Sequence, residues 1–122
     1  MGHKLLIIDD DVDLSEGLAE IFTDEGFDVQ TASSAEEGLE VLQKNAFAAI
    51  LVDIRLPGMD GIAFLKGLKS CPPKGKVFLV SGAPDAQKRV DAAGVAGAVS
   101  GIIRKPFDIP GLLELVKSSI RS

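Results

Sequence analysis

LLIIDDD, residues 5–11, is the stretch whose reading decides the fold. Leu5 to Ile8 form an apolar run with no polar position, as a parallel strand covered on both faces requires, and the run stops on Asp9 and Asp10. Three later runs have the same form. AAILV stops at Asp53, VFLV at Ser81, and SGIIR at Lys105, which Pro106 follows. Crossover connections bring the carboxyl ends of parallel strands to one edge of the sheet, where open α/β sheets bind ligands. Three carboxylates, a hydroxyl and an ammonium then share one pocket, an inventory suited to a divalent cation and a phosphoryl group.

Helical periodicity separates these runs. Leu14, Leu18, Ile21 and Phe22 follow three- and four-residue spacing, with Asp13 and Glu16 as a capping box, Asp11 as a further cap candidate and Gly26 as the stop. A second strand is expected over Phe27 to Thr31. Ser33 or Ser34 then caps a helix carrying Ala35, Leu39 and Leu42 that ends near Asn45. Ala48 to Val52 read as the third strand, and Arg55 to Gly61 as a loop in which Asp60 caps a helix bearing Ile62, Leu65 and Leu68. Pro72, Pro73 and Gly75 are expected to end that helix before a fourth strand at Val77 to Val80. A polar helix from about Pro84 to Ala93 has a thin apolar stripe, and small residues from Ala92 to Gly101 lead to a fifth strand near Ile102 and Ile103. Asp108 caps the last helix, with Leu112, Leu113, Val116 and Ile120 on one face. The alternation implies a doubly wound five-stranded parallel α/β sheet with helices on both faces.

Composition limits the function. With 122 residues and 46% hydrophobic content the chain can bury one core, and its net charge of −5 argues against direct nucleic acid binding. No apolar stretch approaches the roughly 20 residues that span a bilayer, and no charged segment leads into a cleavable apolar leader. Cys71 is the only cysteine, so no intrachain disulfide can form and a reducing cytoplasm is expected.

The carboxylates set the energetics. Two unit charges 4 Å apart repel by about 4 kcal/mol at an effective dielectric near 20, so three converging acids approach the whole stability of a domain. An open, wet pocket, a proton, Lys105 or a metal ion must offset this, and Mg²⁺ suits an oxygen-only donor set. Asp9 and Asp10 come as a pair that can hold the cation, whereas Asp53 stands alone and can act as a nucleophile forming an acyl phosphate. Lys105 and Ser81 offer a charge and a hydroxyl for phosphoryl oxygens, and Gly82 leaves room beside them. Relief of like-charge crowding predicts that Asp53→Asn raises metal-free stability.

LLIIDDD, ILVDIRLPGMDGI, VFLVSG and IIRKPF, in this order, resemble the response-regulator receiver domains of two-component signalling, and the similarity covers essentially all of residues 1–122. The resemblance implies one receiver domain with the flavodoxin-like strand order 2-1-3-4-5. It implies that Asp53 is the phosphoacceptor for a histidine kinase or phosphotransfer protein, and that Asp10 binds Mg²⁺ or Mn²⁺ directly while Asp9 assists through water. The backbone carbonyl of Arg55 would join the metal. Ser81 and Lys105 match the family's switch hydroxyl and lysine, and Pro106 is expected to follow a cis peptide. The domain would be regulatory, catalysing only its own phosphorylation and dephosphorylation, and would act on an output domain or downstream protein, with a homodimer left open.

Two features depart from the family pattern. The aromatic usual three residues before the lysine is Ile102 here, and the segment around Gly97-Ala-Val-Ser-Gly101 is slightly long. Two rival readings stand beside this one. A pseudo-receiver would bind partners without phosphorylation. A haloacid-dehalogenase-like phosphatase also uses an aspartyl nucleophile, yet only Asp108 follows the lysine closely and no capping domain fits. No glycine-rich phosphate loop follows the first strand, so nucleotide binding is disfavoured.

Overall fold

The computed structural model describes residues 3–55, 60–69, 73 and 75–121. Five strands, β1 (Lys4–Ile8), β2 (Asp28–Ala32), β3 (Ala49–Asp53), β4 (Lys76–Ser81) and β5 (Gly101–Arg104), pair in parallel in the order β2-β1-β3-β4-β5. Helices α1 (Val12–Asp24), α2 (Ala35–Lys44), α3 (Gly61–Leu68), α4 (Ala86–Ala93) and α5 (Ile109–Arg121) alternate with them. The doubly wound sheet and its expected strand order are both present.

Strand alternation divides the interior into two cores. Leu6, Ile8, Ile50, Val52, Val77 and Leu79 meet Phe64, Leu65 and Val90 from α3 and α4 on one face. Leu5, Ile7, Leu51, Phe78, Val80 and Ile103 meet Leu18, Phe22, Leu112 and Val116 from α1 and α5 on the other. Both faces of the central strands are covered, which is why those runs contain no polar residue. Among the described residues no helix is long and apolar enough to cross a membrane.

Several boundaries differ from the sequence reading. Of the two candidates Asp11 and Asp13, Asp11 caps α1: its extended backbone lets the carboxylate accept from the Leu14 amide at 3.1 Å, leaving Asp13 in the first turn. Strand β2 starts one residue later than expected, and β3 runs through Asp53 itself. Ser34 is the cap of α2, accepting from Glu37 N, while the Glu37 carboxylate accepts from Ser33 N at 2.7 Å. Helix α3 already ends at Leu68; Pro72 lies outside the described residues, as do 56–59 of the expected loop.

Helix α4 begins at Ala86 rather than Pro84, because Pro84 and Asp85 form a turn and Asp85 makes no side-chain cap bond. Gly94, at φ +71°, ends that helix in the left-handed conformation glycine tolerates. The small-residue segment beyond it contains a 3₁₀ turn, Ala96–Ala98, and is tied to the sheet by Ser100 N donating to Val77 O at 2.7 Å. At α5, Asp108 caps by accepting from Gly111 N at 2.8 Å, and Pro110 occupies the first turn, where no amide is needed.

Candidate functional site

The four strand ends singled out in the sequence meet at one rim. Asp9 and Asp10 follow β1, Asp53 ends β3, Ser81 ends β4, and Lys105 follows β5. Backbone ladders fix their heights: Asp53 lies opposite Val80 and Ser81 opposite Arg104. Pairing extends one residue past the strands, with Asp9 N donating to Ala32 O, Ile54 N to Val80 O and Lys105 N to Ser81 O.

One local device recurs at three of these ends. Asp9 Oδ1 accepts from Asp11 N, Asp53 Oδ1 from Arg55 N and Ser81 Oγ from Ala83 N, each at 2.9 Å and each two residues on. Such turns let a short polar side chain satisfy the first amide leaving the sheet, and they orient the side chain at the same time. The sequence reading missed this role of the Arg55 and Ala83 amides, although Asp or Ser at the last strand position is its signal.

Lys105 reaches across the sheet. Its Nζ lies 2.8 Å from Asp53 Oδ2, so both oxygens of Asp53 have partners. Asp9, Asp53 and Ser81 are buried, Asp10 is exposed, and Lys105 is half-buried. The Lys105–Pro106 peptide is cis. A methyl group at Gly82 would meet only Lys105 Cβ, at 3.7 Å, so no clash within the protein enforces glycine there. Ile102 pairs with Leu79 and packs, half-buried, on the α4 side of the sheet.

Burial pushes the Asp9 carboxyl above its ordinary value, and the charges of Asp53 and Asp10 add to this, against the opposing Asp11 amide and Lys105. Burial alone would lower the Lys105 ammonium, but the hydrogen bond and charge of Asp53, with Asp9 and Asp11, hold it above the ordinary lysine value. Burial first, and neighbouring negative charge second, therefore weigh on Asp9, and Lys105 is the counter-ion in contact with Asp53.

Carboxylate oxygens of Asp9, Asp10 and Asp53 lie within 4.8 Å of one another. An oxygen-only set open to water through Asp10 fits a hard divalent cation, which would offset the charge of three carboxylates held this close together. A further contact went unread in the sequence: Asp60, the cap of α3, also pairs with Arg89 of α4, at 3.7 Å. A separation of 29 residues on exposed positions leaves no periodic signal.

Comparison with known proteins agrees with this architecture. A response regulator receiver protein of Anaeromyxobacter sp. is 34% identical over 93% of this chain, which covers 47% of that protein. A solved CheY-like receiver domain from Methanospirillum hungatei superposes with a TM-score of 0.89 at 28% identity, covering 99% of this chain and 95% of that one. The response regulator TrrA of Thermotoga maritima, solved in complex with Mg(2+)-BeF, gives a TM-score of 0.81 at 25% identity, covering 97% and 98% of the two chains. The chain spans about half the length of several curated relatives. The model of the response regulator receiver domain matches residues 5–117, and the chain belongs to that family of two-component signalling domains.

Proposed function

We propose that Asp53 accepts a phosphoryl group from the phosphohistidine of a histidine kinase or phosphotransfer protein, in a reaction dependent on Mg²⁺ or Mn²⁺. The observation that carries this reading is the 2.8 Å contact between Lys105 Nζ and Asp53 Oδ2, on the rim that also holds Asp9, Asp10 and Ser81. Asp9, Asp10 and Asp53, with the Arg55 carbonyl, would hold the cation, which when bound neutralises charge on the phosphoryl oxygens.

The protein's own groups do the rest. An Asp53 oxygen attacks phosphorus as the P–N bond breaks, the electron pair returns to the donor imidazole, and an acyl phosphate results. Lys105 shifts from the carboxylate to a phosphoryl oxygen, and the Ser81 hydroxyl donates to another. Turning Ser81 toward the phosphoryl group releases the Ala83 amide and draws in the β4–α4 loop. Helix α4 is the natural responder, since it lacks a side-chain cap and buries only Ala86 and Val90.

Residues 1–122 act in this reading as one cytoplasmic receiver domain that passes its state to an output domain or a downstream protein. It turns over no separate substrate. The test is incubation with acetyl phosphate and Mg²⁺ followed by mass spectrometry of intact protein and peptides. One phosphoryl group on Asp53, absent in Asp53→Asn, is expected. Failure to acquire phosphate from acetyl phosphate and from histidine-phosphorylated donors would leave the non-phosphorylated interaction module, with Ile102 at the position where receivers often carry an aromatic.

A further inference from the structure

Helix α3 starts directly on the backbone of the acceptor residue. Gly61 N donates to Ile54 O at 3.0 Å, and a Cβ on Gly61 would lie 2.6 Å from Asp53 O, 2.7 Å from Ile54 Cα and 3.2 Å from Asp53 C. Atoms at ordinary van der Waals contact stand ~3.5–4 Å apart. The obstacles are main-chain atoms of a central strand, so no rotamer change relieves them. Neither side yields easily. Ile62, Phe64, Leu65 and Leu68 are buried and anchor α3, while Asp60 Oδ1 caps it through Ala63 N at 2.9 Å. Opposite, Ile54 is buried and its amide is bonded to Val80 O.

We infer that Gly61 is a positioning residue for phosphorylation: its missing side chain lets the first turn of α3 set the height of the Asp53 main chain, and hence of its carboxylate against Lys105. This rests on Asp53 being the acceptor. The Asp53 side chain is clamped at both oxygens, by Arg55 N and Lys105 Nζ, so a shift of several tenths of an ångström in its main chain lengthens at least one of these contacts. Reacting groups tolerate little such movement, and ~1 Å of misplacement can cost ~100-fold in rate.

Gly75 supplies a matched control. A Cβ there would meet Phe47 O at 2.1 Å and Ala48 O at 2.6 Å, a main-chain clash at least as severe, just before the opposite end of β3. Gly61→Ala and Gly75→Ala are therefore compared for melting temperature, Mg²⁺ affinity and phosphorylation rate with acetyl phosphate. To keep both variants folded they are also made on a Gly17→Ala background, since a Cβ at Gly17 meets nothing within 4 Å and alanine is the better helix former.

Both variants are expected to melt lower. Only Gly61→Ala should lose phosphorylation rate, by ~10- to 100-fold at saturating Mg²⁺ and at temperatures where it is fully folded. An equal loss in Gly75→Ala, or an unchanged rate in folded Gly61→Ala, overturns the inference while leaving Asp53 as acceptor. Absence of phosphate on the unsubstituted protein overturns the acceptor reading, and this inference with it.

Discussion

Lys105 Nζ and Asp53 Oδ2 are 52 residues apart in sequence and 2.8 Å apart in space. The pair joins the end of β3 to the residue after β5, across β4, and supplies the positive charge that lets Asp53 stay buried beside two other acids.

Lys105→Met is expected to lower metal-free stability by about 1 kcal/mol, the lysine being partly solvent-screened, as read by urea denaturation at neutral pH. Because the folded-state Lys105 pKa is raised above 10.5, its stabilisation is complete below that pH and lost as pH rises through the folded value. The gap between Lys105→Met and the unsubstituted protein should narrow in strong alkali. A gap that widens there would contradict the pairing.

Asp9→Asn should raise the metal-free melting temperature at neutral pH, since the amide oxygen can still accept from Asp11 N. The sign follows from the raised carboxyl pKa: between 3.8 and the folded value the native state holds the proton more tightly, so stability falls as pH rises through that window. The penalty persists at neutral pH and is absent below 3.8. Melting curves from pH 3 to 8, a range of roughly the carboxylate and physiological values, check this. A lower neutral-pH melting temperature for Asp9→Asn sinks it.

Asp10 is exposed, so Asp10→Asn should change metal-free stability little while weakening Mg²⁺ binding. A ligand at 100 times its dissociation constant stabilises by ~2.7 kcal/mol, and this increment should shrink in the variant. Thermal melts across a Mg²⁺ titration decide; an undiminished increment removes Asp10 from the metal set.

Ser81→Ala removes the buried hydroxyl that satisfies Ala83 N and should cost about 1 kcal/mol. Phosphorylation of Asp53 should persist, but amide shifts in α4 on beryllofluoride addition should largely vanish. Retention of those shifts would take Ser81 out of the switch.

Sequence alone determined the alternation of strands and helices, because strands buried on both faces admit only apolar residues and helical faces repeat at three and four. It also determined the chemical kinds available at each strand end, since a polar group halting an apolar run is legible without coordinates. Boundaries were less legible: which of Asp11 and Asp13 caps α1 depends on which amide each carboxylate reaches, and α4 begins at Ala86 because Pro84 and Asp85 form a turn. Only the tertiary structure decided that Asp9 is buried beside two other acids while Asp53 meets Lys105, that Asp60 meets Arg89, and that Gly61 rests on the main chain of Asp53. Those are contacts between segments far apart in the chain, and their distances come from the twist and packing of the sheet, which no local spacing encodes.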